Sequence, residues 1–141
     1  MRTKITIPAK KQFDLNSTLR SHGWVNLLPN IYNENGRSFS RTQRLSSRIV
    51  VHFQVSSSGE KIPDILILIE HPKELSQSEL NEIRENVRYM LRLDEDLEEF
   101  YDLCKNKKSP WKYLSHGKGY LLRSPDIFED LVKVICTTNI Q

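Results

Sequence analysis

The sequence predicts an α+β chain: an antiparallel sheet with one helix near its start, followed by a helical region. Three observations carry that expectation. Ile49, Val51, Phe53 and Val55 alternate with Val50, His52 and Gln54, the period-two pattern of a half-buried strand. Asn35-Gly36 is a hairpin signal, because both residues tolerate positive φ. After His71-Pro72 the apolar spacing changes to three and four residues at Leu80, Ile83, Val87, Met90 and Leu91, which is helical. The domain boundary is therefore expected near residues 71–75, with a sheet domain over 1–72 and a helical part over 73–141.

Taken in order, Lys4-Ile-Thr-Ile7 alternates and reads as a short strand ended by Pro8. Asp14 or Asn16 can cap a short helix through Leu15, Leu19 and Arg20, with Gly23 as its left-handed closing residue. Trp24 to Tyr32 reads as a strand interrupted at Pro29, hence an edge or a bulge. Basic and polar residues surround Phe39 between Arg37 and Leu45. Ser56-Ser-Ser-Gly59 turns the chain, and Ile65 to Ile69 is a continuous apolar run fit for a central strand. In the second half, Ser76-Gln-Ser-Glu79 forms a capping box. Asp94-Glu95-Asp96 restarts a helix whose buried side is Leu97, Phe100, Tyr101 and Cys104, with Glu98, Glu99 and Asp102 on its wet side. Lys105-Asn-Lys-Lys108 is a short basic linker, and Trp111, Tyr113 and Leu114 make one further helical turn before Gly117 and Gly119.

The last stretch organises the rest. Ser124-Pro125 is a helix start in which the serine oxygen caps free amides and proline gives up an N–H that had no partner. Asp126, Glu129 and Asp130 crowd the positive end of the helix dipole. Ile127, Phe128, Leu131, Val134 and Ile135 recur at helical spacing, so one broad face is apolar and calls for burial. The sequence reaches Thr137-Thr-Asn-Ile-Gln141 with no glycine or C-cap, so the helix is expected to be half of an interface whose other half lies elsewhere.

Composition sets outer bounds. Hydrophobic content of 38% and charged content of 28% fit a globular class rather than disorder. No run approaches the roughly 18 apolar residues of a membrane span, and Met1-Arg-Thr-Lys-Ile-Thr-Ile-Pro8 lacks the apolar core of a secretory signal, so an intracellular, cytoplasmic chain is expected. Cys104 and Cys136 both fall in apolar helical contexts and read as buried free thiols. The four histidines have no cysteine pair beside them, and no metal or cofactor is expected. The formal charge of +3 hides an asymmetry: residues 1–63 carry ten Lys/Arg against three Asp/Glu, and residues 64–141 eleven against fifteen. A basic front half suits phosphate contacts.

A family resemblance enters on specific residues. Leu121-Leu-Arg-Ser-Pro125 followed by Phe128-Glu-Asp-Leu-Val-Lys-Val-Ile-Cys-Thr-Thr-Asn139 resembles the segment that joins the two halves of helix-hairpin-helix DNA glycosylases, in the branch of 3-methyladenine glycosylase II and 8-oxoguanine glycosylase. Phe13-Asp-Leu-Asn-Ser-Thr-Leu-Arg-Ser-His-Gly-Trp24 and Tyr89-Met-Leu-Arg-Leu-Asp-Glu-Asp-Leu-Glu-Glu-Phe-Tyr101 resemble two earlier stations of that family, in the same order. The resemblance implies a sheet domain like that of the TATA-binding protein, then the start of the helical glycosylase domain. It implies removal of an alkylated or oxidised base from duplex DNA by base flipping and hydrolysis of the N-glycosidic bond. The hairpin and the catalytic aspartate would lie beyond Gln141, so no catalytic residue is expected here and the isolated chain should be inactive. Its partners would be duplex DNA with a damaged base and the C-terminal helical domain. The exposed helix also implies self-association of the chain alone.

Asn139 is the residue the resemblance singles out. In 8-oxoguanine glycosylases an asparagine at this point refills the hole left by the flipped base, an unstacked gap that demands a plug. Arg123 and Gln141 would join it as DNA contacts. Beside those roles stand ordinary ones: Asn139 as a polar residue near a helix end, and Arg123 packing its stem and pairing with Asp126 or Glu129. Other candidates are weaker. Gly117-Lys-Gly119 lacks the pattern of a phosphate loop. Ser21-His22 and Ser115-His116 do not make a hydrolase triad. The acids from Asp94 to Glu99 read as a helix start and a solvated face. The alternative function is a non-enzymatic binding or scaffold module that keeps only the sheet and docks a partner on its edge.

Overall fold

The computed structural model describes residues 1–59 and 64–138. Five strands form one antiparallel sheet: β1 (Arg2–Ile7), β2 (Asn30–Asn33), β3 (Ser38–Arg44), β4 (Val50–Ser57) and β5 (Ile65–Glu70), in the order β1-β5-β4-β3-β2. The helices are α1 (Leu15–Leu19), α2 (Gln77–Leu91), α3 (Glu98–Lys105), α4 (Trp111–Leu114) and α5 (Ile127–Thr138). The protein is thus mixed α+β, with a meander from β2 to β5 and β1 closing the far side.

Register follows from alternation. Ile5, Ile67, Val55, Phe39 and Tyr32 form one row across the sheet, and Thr3, Ile69, Phe53, Arg41 and Asn30 the next. Both rows face the core, because side chains two apart share a face. Ile67, Val55, Phe39, Ile69 and Phe53 are fully buried there, each contributing roughly 1.5–3 kcal/mol relative to exposure. Lys4, Leu68, Gln54, Ser40 and Ile31 line the opposite, open face. The helices α1 and α2 cover the inner face, and one cluster joins sheet residues to Leu19, Ile83, Val87, Met90, Tyr101, Tyr120 and Leu122.

Asp14, rather than Asn16, caps α1, its Oδ1 accepting from the Ser17 amide at 3.1 Å. Gly23 does not close that helix. Its left-handed φ of 83° instead opens a 3-10 turn over Trp24–Asn26, so the strand expected from Trp24 is reduced to β2. Pro29 has no amide for a ladder, which leaves Asn30 as the first residue able to pair. The β2–β3 connection is a hairpin, but not the two-residue turn that Asn35-Gly36 suggests. Asn33 Oδ1 accepts from the Gly36 amide at 3.0 Å, and Arg37, at φ 44°, takes the left-handed position. That side-chain bond captures the glycine amide and moves the turn one residue on.

The capping box of α2 forms as the sequence predicts. Glu79 donates its amide to Ser76 Oγ, and its carboxylate accepts from the Ser76 amide at 2.7 Å. Ile83, Val87, Met90 and Leu91 face inward, and Arg92 ends the helix at φ 57°. Tyr101 and Cys104 of α3 are buried, with Leu97 and Phe100 packed against the core. Cys104 is a buried free thiol as expected; Cys136 is also free but exposed, because it lies on the side of α5 that no described residue covers. Gly117, at φ 75°, lets the chain pass close to the N-terminal half: a Cβ there would stand 2.2 Å from the Gln12 carbonyl oxygen. Among the described residues no helix is long and apolar enough to cross a membrane.

Candidate functional site

The segment between α4 and α5 is held as a strap. Ser21 Oγ accepts from the Leu122 amide at 3.2 Å, and His22 Nε2 donates to the Leu122 carbonyl at 2.7 Å. A carbonyl can only accept, so the proton sits on Nε2. On the other side the Arg123 amide donates to the Met90 carbonyl at 2.9 Å. Ser21-His22 is therefore a clasp for the backbone of Leu122, which leaves Leu122 itself buried. Ser115 and His116 turn instead to carbonyls of their own helical turn, at Lys112 and Tyr113.

The start of α5 differs from the sequence reading. Asp126, not Ser124, is the cap, its Oδ1 accepting from the Glu129 amide at 2.8 Å. Ser124 has other work. It is fully buried, its amide donates to Asp130 Oδ1 at 2.9 Å, and its Oγ accepts from Lys133 Nζ at 3.0 Å. Pro125 accordingly precedes the cap.

What holds α5 to the sheet is ionic. Arg41, on the inner face of β3 and 3% exposed, donates from both terminal nitrogens to Glu129, at 2.8 Å to Oε2 and 3.3 Å to Oε1, and also reaches Asn30 Oδ1 at 3.3 Å. Lys133, 6% exposed, donates to Glu129 Oε1 at 2.7 Å and stands 5.8 Å from the centre of the Trp24 ring. Burial alone would raise the Glu129 carboxyl, but the hydrogen bonds and charges of Arg41 and Lys133 outweigh it and hold the group below its ordinary value. Arg41 Nε is buried without a partner among the described residues.

The consequence is a helix docked with its polar side inward. Amphipathic helices normally bury the apolar stripe and show water the polar one. Here Lys133 is the buried residue of α5, while Ile127, Phe128, Leu131, Val132, Val134 and Ile135 are between 42% and 77% exposed. A contiguous apolar surface of this kind marks a place where something else binds.

Of the residues singled out in the sequence, Asn139 and Gln141 lie outside the described residues. Arg123 pairs with Glu95 at 2.7 Å and lies 4.9 Å from the centre of the Tyr89 ring, rather than meeting Asp126 or Glu129, which face the cap and Arg41. Glu95 also accepts from Arg92, and Asp94 from Arg88, so those acids answer nearby arginines. No cluster of metal-ligating side chains occurs among the described residues. Sequence reasoning missed Arg41 and Lys133. A partial signal existed: Arg41 shares parity with Phe39 on one strand, and Lys133 lies one turn after Glu129 on the same helix face, but the spacing alone does not turn that face toward the sheet.

No family model matches the chain, nor does any characterised protein or solved structure.

Proposed function

We propose that this chain is the N-terminal portion of a helix-hairpin-helix DNA glycosylase, which removes an alkylated or oxidised base by flipping it out of duplex DNA. The observation that carries this reading is the orientation of α5. A helix fastened to the sheet through Arg41–Glu129–Lys133, with its apolar side turned outward, is suited to be shared between a sheet domain and a second, helical domain. The stretch with that geometry is also the one whose sequence resembles the junction of the two halves in these glycosylases.

In this reading the sheet, of the TATA-binding-protein type, buttresses the enzyme, and 73–141 begins the catalytic domain. Ionic docking through Arg41, Glu129 and Lys133 sets how α5 lies on the sheet. Asn139 would refill the gap left by the extruded base, with Arg123 and Gln141 near the same strand. In this reading the acid that supports the developing sugar cation belongs to the later helical domain, so the chain alone is expected to release no base. Such an enzyme works where DNA is: in the cytoplasm, on the nucleoid in a prokaryote.

The test is the reading frame beyond codon 141. A continuing frame with a Gly-rich hairpin and a following aspartate is expected; a stop codon would sink the reading and leave a binding module that carries only the sheet. In parallel, the 141-residue chain incubated with duplexes containing 3-methyladenine or 8-oxoguanine should release neither base.

A further inference from the structure

The half-chain charge sums conceal a local reversal. Between Asp102 and Asp126 there is no acidic residue, yet Lys105, Lys107, Lys108, Lys112, Lys118 and Arg123 all fall there, inside the half of the chain that is acidic as a whole. Six of the eleven cations of residues 64–141 are thus gathered in one stretch. The structure exposes the densest part. Lys105, Lys107, Lys108 and Lys112 are exposed in the turn from α3 into α4, and Lys107, Lys108 and Lys112 have no carboxylate partner among the described residues. Lys105 alone is answered, by Asp102 at 2.7 Å.

Two aromatic rings stand among those charges. Trp111 is 56% exposed and Tyr113 63%, each next to Lys112 in sequence. The core takes Phe13 and Tyr120, in edge contact at 5.1 Å, and neither Trp111 nor Tyr113 belongs to it. From Tyr113 the surface continues into a cleft of about 500 Å³ whose polar side is Lys118, Arg20, Asn16, Ser17 and Ser21 and whose apolar side is Leu114 and Leu121, with Lys118 also paired to Asp14 at 3.4 Å. Lys118 Nζ lies 5.3 Å from the centre of the Tyr113 ring.

We propose that the Lys105–Tyr113 turn is a nucleic-acid contact that takes an unpaired strand, with Lys107, Lys108 and Lys112 on its phosphates and Trp111 and Tyr113 stacked on its bases. Lysines without protein partners release counterions when they meet phosphates, which makes the contact salt-dependent. Exposed flat rings add little to a duplex, whose base faces are covered by their neighbours, but much to bases that are unstacked. Alternating cations and aromatics is the arrangement such strands require. An acidic protein would use the lysines and leave the rings wet; an apolar partner would use the rings and be repelled by the lysines. The contact stands on charge and exposure alone, and it needs neither Asn139 nor a helical domain downstream.

The test uses the 141-residue chain and an unmodified oligothymidylate, so it is separable from any lesion chemistry. Binding should quench Trp111 emission, and Trp111→Phe, which leaves Trp24 as the remaining tryptophan, should abolish the quench. The K107A/K108A/K112A variant should lower the slope of log K against log salt by about 2 and weaken binding on the order of a hundredfold at 0.1 M salt. Trp111→Ala should cost about tenfold or more without changing that slope. A K4A/R44A variant, which removes two exposed cations of the sheet, should bind as wild type, and all variants should keep the wild-type circular dichroism. Absence of binding at low salt, an unchanged slope in the lysine variant, or binding that leaves Trp111 emission unaltered would each overturn the proposal.

Discussion

Replacing Glu129 by glutamine should damage the protein more than replacing either cation that flanks it. At 2.8 Å the Arg41–Glu129 contact has a gross attraction of about 6 kcal/mol at an effective dielectric of about 20. Desolvation of the two ions offsets most of that. The cost of a substitution is therefore set by what it leaves behind. Glu129→Gln leaves two cations, Arg41 and Lys133, facing each other with no counter-charge, at 3% and 6% exposure, and should destabilise by about 3–5 kcal/mol. Arg41→Met removes a donor but leaves Glu129 paired to Lys133 at 2.7 Å, so its cost should be nearer 2 kcal/mol. The double variant Arg41→Met/Glu129→Leu leaves only Lys133 and Ser124 and should cost less than the sum of the singles. Urea unfolding followed by circular dichroism orders the three, and hydrogen exchange of α5 amides shows where the loss falls. Acid titration adds a sign. The folded-state value of Glu129 is depressed, so its contribution is present above the ordinary glutamate value and disappears as pH falls through the lower folded one. The gap between wild type and Glu129→Gln should therefore narrow below about pH 5. Equal costs for the two single variants, or both under about 1 kcal/mol, would refute the idea that this network fastens α5.

Other expectations follow from single contacts. Asp126→Ala removes the cap of α5 and should cost about 1 kcal/mol, measured by urea unfolding. Gly117→Ala forces a Cβ to 2.2 Å from the Gln12 carbonyl at a positive φ and should cost about 3 kcal/mol or more, or prevent folding, as read from the thermal midpoint. The chain alone should associate through the open side of α5. Phe128→Asp combined with Leu131→Lys should return it to monomer by light scattering, and a wild-type monomer at high concentration would count against that surface. The Tyr101 hydroxyl, which donates to the Lys118 carbonyl at 2.9 Å, is pushed up to about 12 by burial and by Tyr120. Ultraviolet titration should show it ionising well above the ordinary tyrosine value, and the stability it lends should be present below that ordinary value and fade as pH rises toward 12.

Periodicity made most of the architecture legible. The alternation from Ile49 to Val55 and the apolar run from Ile65 to Ile69 became β4 and β5, and the box at Ser76 and Glu79 opened α2. Where the reading missed, a short side chain had a better offer from tertiary structure. Ser124 serves Lys133 instead of a helix end, Asn33 takes the Gly36 amide and shifts the turn, and Gly23 begins a 3-10 turn rather than ending α1. The docking network was harder to see, since Arg41 and Glu129 lie far apart in sequence and an arginine among polar neighbours looks like a surface residue. Only pairing β3 against β4 reveals that it shares a row with Phe53. The amphipathic stripe of α5 was plain in the sequence; which side would face the sheet was not, because that depends on Arg41.

The carboxylate that answers Arg41 lies 88 positions downstream. On a translating ribosome the apolar contacts of the five strands are all available long before Glu129 emerges, while one guanidinium waits in their midst. Domains commonly fold from the N-terminal end as they are made. Until the last helix arrives Arg41 has Asn30 on β2 but no counter-charge, so the packing around that guanidinium is expected to be completed only when residue 129 is in place.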